Sequence, residues 1–149
     1  MSNHPYLRAY MAGISVPTPL LLIPLTAFFM ARFVYNLPVP VERVIIFPMA
    51  IIPNLFGVWN MLHLASRTDT HLPLGIHGAI LPFLLAPAGF LLGRSLGFLQ
   101  FTGHGFIYFG VVNVGYAHVA MVFPAVLIVY YLVWKYLIGF FNRVAGIAE

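Results

Sequence analysis

Four side chains that could bind a metal or exchange protons cluster around one predicted loop: His63, Asp69, His71 and His77. His63 ends one apolar stretch, His77 begins the next, and the other two lie in the polar segment between them. All four are therefore expected at the same membrane face, where imidazole and carboxylate groups are suitable ligands for zinc, iron or copper. Their spacing matches no metal-binding signature, so two other interpretations stay open: wetted loop residues, or a site for an anionic headgroup or a quinone.

His118 has a different setting, because it falls within the last apolar stretch, three residues after Gly115. A histidine beside a small residue can ligate haem between helices, since glycine leaves room for the porphyrin. A second axial ligand at similar depth is missing, because His63 and His77 are expected near one membrane face. A single ligand, a ligand from a partner subunit, or a simple hydrogen bond to a neighbouring amide all stay open. The cofactors that these histidines could hold are haem b, a quinone or a transition metal.

Carboxylates are scarce and lie outside the apolar stretches. Glu42 and Asp69 fall in predicted loops, and Glu149 ends the chain. This pattern argues against a proton relay of buried acids, a carboxylate-bridged pair of metals and an intramembrane protease with paired aspartates. No set of nucleophile, base and electrophile can be assembled from the sequence. The residues therefore favour a non-enzymatic protein.

The composition requires a lipid environment. Hydrophobic residues make up 62% of the 149 residues and charged residues only 7%, whereas a soluble domain carries roughly 25% charged residues. The basic residues stand singly beside apolar segments, as at membrane flanks, which argues against nucleic-acid binding. There is no cysteine, which excludes disulfides and thiolate metal sites.

Four apolar stretches are long enough to cross a bilayer, which takes about 20 helical residues. They run over residues 13–35, 44–65, 74–96 and 108–134. Each contains proline, which removes a backbone hydrogen bond and bends a helix. We therefore predict an all-α fold: an integral membrane four-helix bundle with proline-kinked transmembrane helices, forming a single domain over residues 1–149.

The distribution of positive charge predicts the orientation of the chain. Four spans place both termini on one side, and the basic residues divide four to three in favour of that side. The first group is Arg8, Arg67, Lys135 and Arg143, and the second is Arg32, Arg43 and Arg94. Because positive residues concentrate on the cytoplasmic side, cytoplasmic termini are predicted.

A stripe of small residues runs along the third predicted span. Its members are Gly75, Ala79, Pro82, Ala86, Gly89 and Gly93. At 100° per residue they all fall within about 40° of one line along the helix. Small residues allow helix backbones to approach closely in lipid, so this helix is predicted to be central or to face a partner protein.

Three classes of function follow. The favoured class is a non-catalytic accessory, assembly or anchor subunit that packs against other membrane proteins or against copies of itself. The second is a redox-type membrane subunit that binds haem or quinone through His63, His77 or His118. The third is a small oligomeric transporter or lipid-handling protein.

Overall fold

A computed structural model of the chain describes residues 4–38, 47–108, 110 and 112–147, and it is mostly helical. The helices are α1 (Pro5–Ile14), α2 (Pro17–Phe33), α3 (Phe47–Thr70), α4 (Leu74–Ser95), α5 (Tyr116–Leu132) and α6 (Gly139–Val144). A π-helical segment, Val133–Ile138, joins the last two helices. Three short strands lie between α4 and α5: β1 (Leu99–Thr102), β2 (Gly105–Tyr108) and β3 (Val112–Gly115).

Within the described residues, three helical segments are long and apolar enough to cross a membrane. They are Pro5–Phe33, Leu74–Ser95 and Tyr116–Val144. Large apolar side chains on them are exposed, including Ile23 at 69% and Met121 at 76%. Exposed apolar surface on this scale is stable only in lipid or against a partner, so these findings support an integral membrane protein.

Helix α3 corresponds to the predicted second span but does not belong to this apolar group. It has 24 residues, enough to cross a bilayer, but Asn54, Asn60 and His63 lower its hydropathy. It also continues to Thr70, beyond the predicted end at Ala65. The first residues of that predicted span, 44–46, lie outside the described part of the chain.

The chain divides into two compact units, where the sequence predicts one domain. Unit 1 comprises Met1–Leu72 with Lys135–Glu149, and unit 2 comprises Pro73–Trp134. Unit 1 therefore contains α1, α2, α3 and α6. Unit 2 contains α4, the three strands and α5.

In unit 1 the predicted first span, residues 13–35, corresponds to α2, and a separate helix, α1, precedes it. The chain turns at Ser15 and Val16, and α2 then begins with Pro17. Proline has no N–H to continue the hydrogen-bond ladder of α1, but it suits the first position of a new helix. Helix α1 packs closely along α3 at a glycine: a Cβ on Gly13 would lie 2.6 Å from the Phe56 carbonyl oxygen.

Two buried asparagines join the helices of unit 1. Asn60 on α3 and Asn142 on α6 are 1% and 4% exposed. Asn60 Nδ2 donates to Asn142 Oδ1 at 2.7 Å and to the Ala9 carbonyl oxygen of α1, also at 2.7 Å. Asn142 Nδ2 donates back to Asn60 Oδ1 at 3.2 Å. One amide pair thus connects three helices.

In unit 2, α4 packs at Gly78 against Trp134, which follows α5 in the π-helical segment. Trp134 is fully buried, and a Cβ on Gly78 would overlap its indole. His77, the neighbour of Gly78, is 7% exposed, and its ring meets the indole edge-on with centroids 6.0 Å apart. The absence of a side chain at Gly78 therefore creates the space that the largest side chain of the unit occupies.

The antiparallel sheet of order β1-β2-β3 is a structure that the all-α prediction missed. The last span was predicted to begin at residue 108, whereas α5 begins at Tyr116. The register pairs Gly105 with Gly115 and Phe106 with Val114. A short apolar run of β-branched and aromatic residues is compatible with either a strand or a buried helix, so hydropathy alone could not distinguish them.

Candidate functional site

A cavity of about 480 Å³ lies within unit 2, between α4, the sheet and α5. Its lining from α4 is Pro82, Leu85, Ala86 and Phe90, and from the sheet Phe106, Tyr108 and Val114; α5 supplies His118, Val119, Val122, Phe123, Val126 and Tyr130. This volume falls within the range of small-molecule binding sites, which are mostly apolar with a few placed polar groups. Val122 lines the cavity and is 57% exposed, so the cavity opens on the α5 side.

His118 is the imidazole that lines this cavity, but it does not lie in the middle of a span as predicted. It is the third residue of α5, directly after the end of β3, because residues 112–115 form a strand instead of helix. Its Nδ1 lies 3.6 Å from the position of a Cβ on Gly115. The Nδ1 edge of the ring therefore faces the backbone at Gly115, and Nε2 lies on the opposite edge.

An aromatic cluster surrounds Phe106 at the end of the cavity formed by the sheet. Its ring centroid is 5.0 Å from that of Phe90 on α4 and 5.2 Å from that of Tyr108 on the same strand. Tyr116, at the start of α5, lies at 6.3 Å. Aromatic pairs at these separations add to the packing energy beyond their buried area, so they stabilise this wall of the cavity.

Hydrogen bonds hold the start of α5 against the sheet. The Tyr116 backbone N–H donates to the His104 carbonyl oxygen at 3.1 Å, and its hydroxyl donates to the Thr102 carbonyl oxygen at 3.0 Å. These bonds position the turn of helix that carries His118. Burial raises the pKa of the Tyr108 phenol above its ordinary value, so this hydroxyl stays protonated at neutral pH and can donate a hydrogen bond.

The predicted metal set is not assembled in the described part of the chain, where no group of three or more histidine, cysteine, aspartate or glutamate residues could hold a metal ion. His63 and Asp69 both lie on α3, because the helix continues through the segment that the sequence suggested was a loop. His71 directly follows that helix, with φ of 50°, and is exposed, while His77 packs against Trp134 in unit 2. Neither His63 nor His77 lines the cavity.

The predicted small-residue stripe has three different environments along α4. Gly75, Pro82 and Gly93 are buried, and Ala79 and Ala86 are half-buried. Gly89 is exposed, and a Cβ built on it would meet no atom within 4 Å. Pro82 and Ala86 also line the cavity. Part of the stripe therefore lines the cavity, part of it is buried elsewhere, and Gly89 lies on an exposed surface.

Sequence reasoning missed several residues that the structure brings to the site or to the packing. Tyr108 and Tyr130 line the cavity but were not among the predicted site residues. Gly78 makes the close approach in α4, one position away from the chosen stripe. The one available signal was the adjacent pair His77-Gly78, a bulky polar residue beside a residue without a side chain.

Comparison of the chain with known protein families, with curated proteins and with solved structures gives no match.

Proposed function

We propose that this chain is a small, non-catalytic, multi-pass membrane protein that binds a lipid-soluble ligand between α4 and α5. The observation that carries the proposal is the cavity of about 480 Å³ with apolar walls and His118, Tyr108 and Tyr130 on its lining. Among the described residues that line it there is no carboxylate, lysine, arginine, serine or threonine. Such a lining suits binding and orientation of an apolar molecule, and it lacks the groups of a hydrolytic or transfer centre.

The cavity favours an uncharged ligand over haem. His118 offers one imidazole for axial ligation, but the two propionates of haem would meet no lysine or arginine among the described lining residues. Burying a carboxylate without a partner costs several kcal/mol. The haem alternative therefore has less support than a neutral, lipid-soluble molecule.

Extraction of the purified protein tests this proposal. A hydrophobic molecule should co-purify in near-stoichiometric amount and be recovered in organic solvent. Val122→Trp should abolish its recovery, because the indole would fill the cavity from α5. Met121→Trp is the matched control, since Met121 precedes Val122 on the same helix, is 76% exposed and does not line the cavity. Equal recovery from both variants would refute the cavity as the binding site.

We propose that the chain crosses the membrane four times, and that α3 is a transmembrane helix in addition to the three apolar segments. Its 24 residues are sufficient in length, and its polar side chains Asn54 and Asn60 are hydrogen bonded inside unit 1, to Tyr10 and to Asn142 respectively. Polar residues with partners of this kind are tolerated within a membrane. The proposed topology has both termini in the cytoplasm, on the side with the larger number of basic residues.

A second proposed role is that of an accessory or anchor subunit, and the exposure of Gly89 favours it. Pro87, Ala88 and Gly89 form a small, exposed surface on α4, and small residues promote close helix packing in lipid. Gly89→Leu should shift the protein to a smaller assembly in mild detergent, with Leu91→Ala as the control. Unchanged migration of Gly89→Leu would contradict this role.

A further inference from the structure

The shape of the cavity suggests the shape of its ligand. His118 and Tyr130 line it and are twelve residues apart on α5, which corresponds to about 18 Å along the helix. Val119, Val122 and Val126 line the stretch between them. An elongated molecule with an apolar tail fits such a path better than a compact one.

The two ends of the path differ in chemistry. The end at the sheet has the aromatic rings of Phe90, Phe106 and Tyr108, together with His118. Aromatic rings favour another flat ring, in stacked or edge-to-face arrangement. The path along α5 is lined by Val119, Val122 and Val126 together with Phe123, and Tyr130 lies at its far end. These mainly apolar side chains suit a saturated or prenyl chain.

Hydrogen-bonding capacity narrows the class of the ring. A neutral imidazole has one donor and one acceptor nitrogen, and the Tyr108 phenol can donate and accept. A quinone ring has carbonyl acceptors, and its reduced form has hydroxyl donors, so both forms can be bound by these groups. A fatty acid or a phospholipid headgroup needs a permanent cation, and none is found among the described lining residues.

Building on the proposed function, we infer that the ligand is a tailed quinone whose ring lies against Phe90 and Phe106, with a ring carbonyl accepting a hydrogen bond from His118 Nε2. The tail follows the valines of α5 toward Tyr130. Because the cavity opens beside the exposed Val122, a tail longer than the cavity can continue into the surrounding lipid. The inference concerns binding and assigns no electron-transfer step to this chain.

Three probes that share a similar tail test the class of ligand: a decyl-substituted benzoquinone, dodecanol and dodecanoic acid. Each is titrated into the full-length protein in mild detergent, and the retained probe is quantified after gel filtration. The quinone should bind saturably, and at least tenfold more tightly than either aliphatic probe. His118→Ala should weaken quinone binding at least tenfold and dodecanol binding by a much smaller factor, while His118→Asn, which keeps a donor, should recover part of the affinity for the quinone.

The outcomes separate this inference from the proposed function. If all three probes bind equally and His118→Ala has no effect, the quinone assignment is wrong. The proposed function, binding of a lipid-soluble molecule in the cavity, is still supported in that case if Val122→Trp abolishes binding of the probes. If no probe binds saturably, or Val122→Trp binds as well as the native chain, both proposals fail. Thermal denaturation of each variant identifies any that has lost its fold, and Val126→Phe then replaces Val122→Trp as the cavity-filling variant.

Discussion

Asn60 and Asn142 lie 82 positions apart in the chain, and their side-chain amides donate hydrogen bonds to each other at 2.7 and 3.2 Å. Both residues are buried in unit 1. Asn60 also donates to the Ala9 carbonyl oxygen, so the pair fixes α1, α3 and α6 in one arrangement. Side-chain hydrogen bonds between membrane helices contribute on the order of 1 kcal/mol each.

Asn142→Leu is expected to lower the free energy of unfolding by about 1–2 kcal/mol, because Asn60 Oδ1 loses its donor inside an apolar environment. Denaturation in mixed micelles gives the measurement. Val144→Ala, also on α6 and 70% exposed, is the control and should change stability little. A double-mutant cycle with Asn60→Leu should show coupling between the two positions; strict additivity would mean that the amide pair has no energetic importance.

Two glycines of α4 are expected to respond oppositely to alanine. Gly78→Ala should destabilise the protein by about 1–3 kcal/mol, because the added Cβ would overlap the buried Trp134 and force the helices apart. Gly89→Ala should leave stability unchanged or slightly higher, since no atom lies within 4 Å of the added Cβ and alanine favours helix. The midpoints of thermal denaturation compare the two. Similar losses at both positions would contradict the described environments.

The hairpin between β1 and β2 offers another matched pair of glycines. A Cβ on Gly105 would collide with the Val114 carbonyl oxygen of β3, whereas one on Gly103 would meet nothing within 4 Å. Gly105→Ala should therefore disrupt the sheet and increase proteolytic cleavage between α4 and α5, while Gly103→Ala should resemble the native chain. Because the sheet positions His118, Gly105→Ala should also weaken binding of the decyl quinone. Full protease resistance of Gly105→Ala would show that the sheet tolerates the change.

Single cysteines test the proposed topology, since the native chain contains no cysteine. His4→Cys and His71→Cys should react with a membrane-impermeant thiol reagent from the cytoplasmic side, and His104→Cys from the opposite side. Given that Pro5–Phe33 crosses the bilayer, His4 and His71 share a side only if α3 crosses it as well. Labelling of these two cysteines from opposite sides would remove α3 from the list of spans.

Local composition was sufficient to predict a membrane protein, the approximate positions of α2, α4 and most of α5, and the absence of acids from the apolar stretches. These properties depend on hydropathy summed over about 20 neighbouring residues, which the linear sequence contains in full. Hydropathy alone could not distinguish strands from a helix in residues 99–115. That choice rests on pairings such as Phe106 with Val114, which exist only once the chain has folded back on itself.

The same distinction applies to the candidate site. Seven basic and three acidic residues were enough to make nucleic-acid binding and buried-acid chemistry poor interpretations. Only the tertiary structure shows which histidine lines a cavity. Because β3 ends at Gly115, His118 lies in the first turn of α5, and it lines the same cavity as Phe106. Close packing likewise depends on which residue lies opposite a glycine. Trp134 lies opposite Gly78, whereas no described residue covers Gly89, and no periodicity along one helix contains that information.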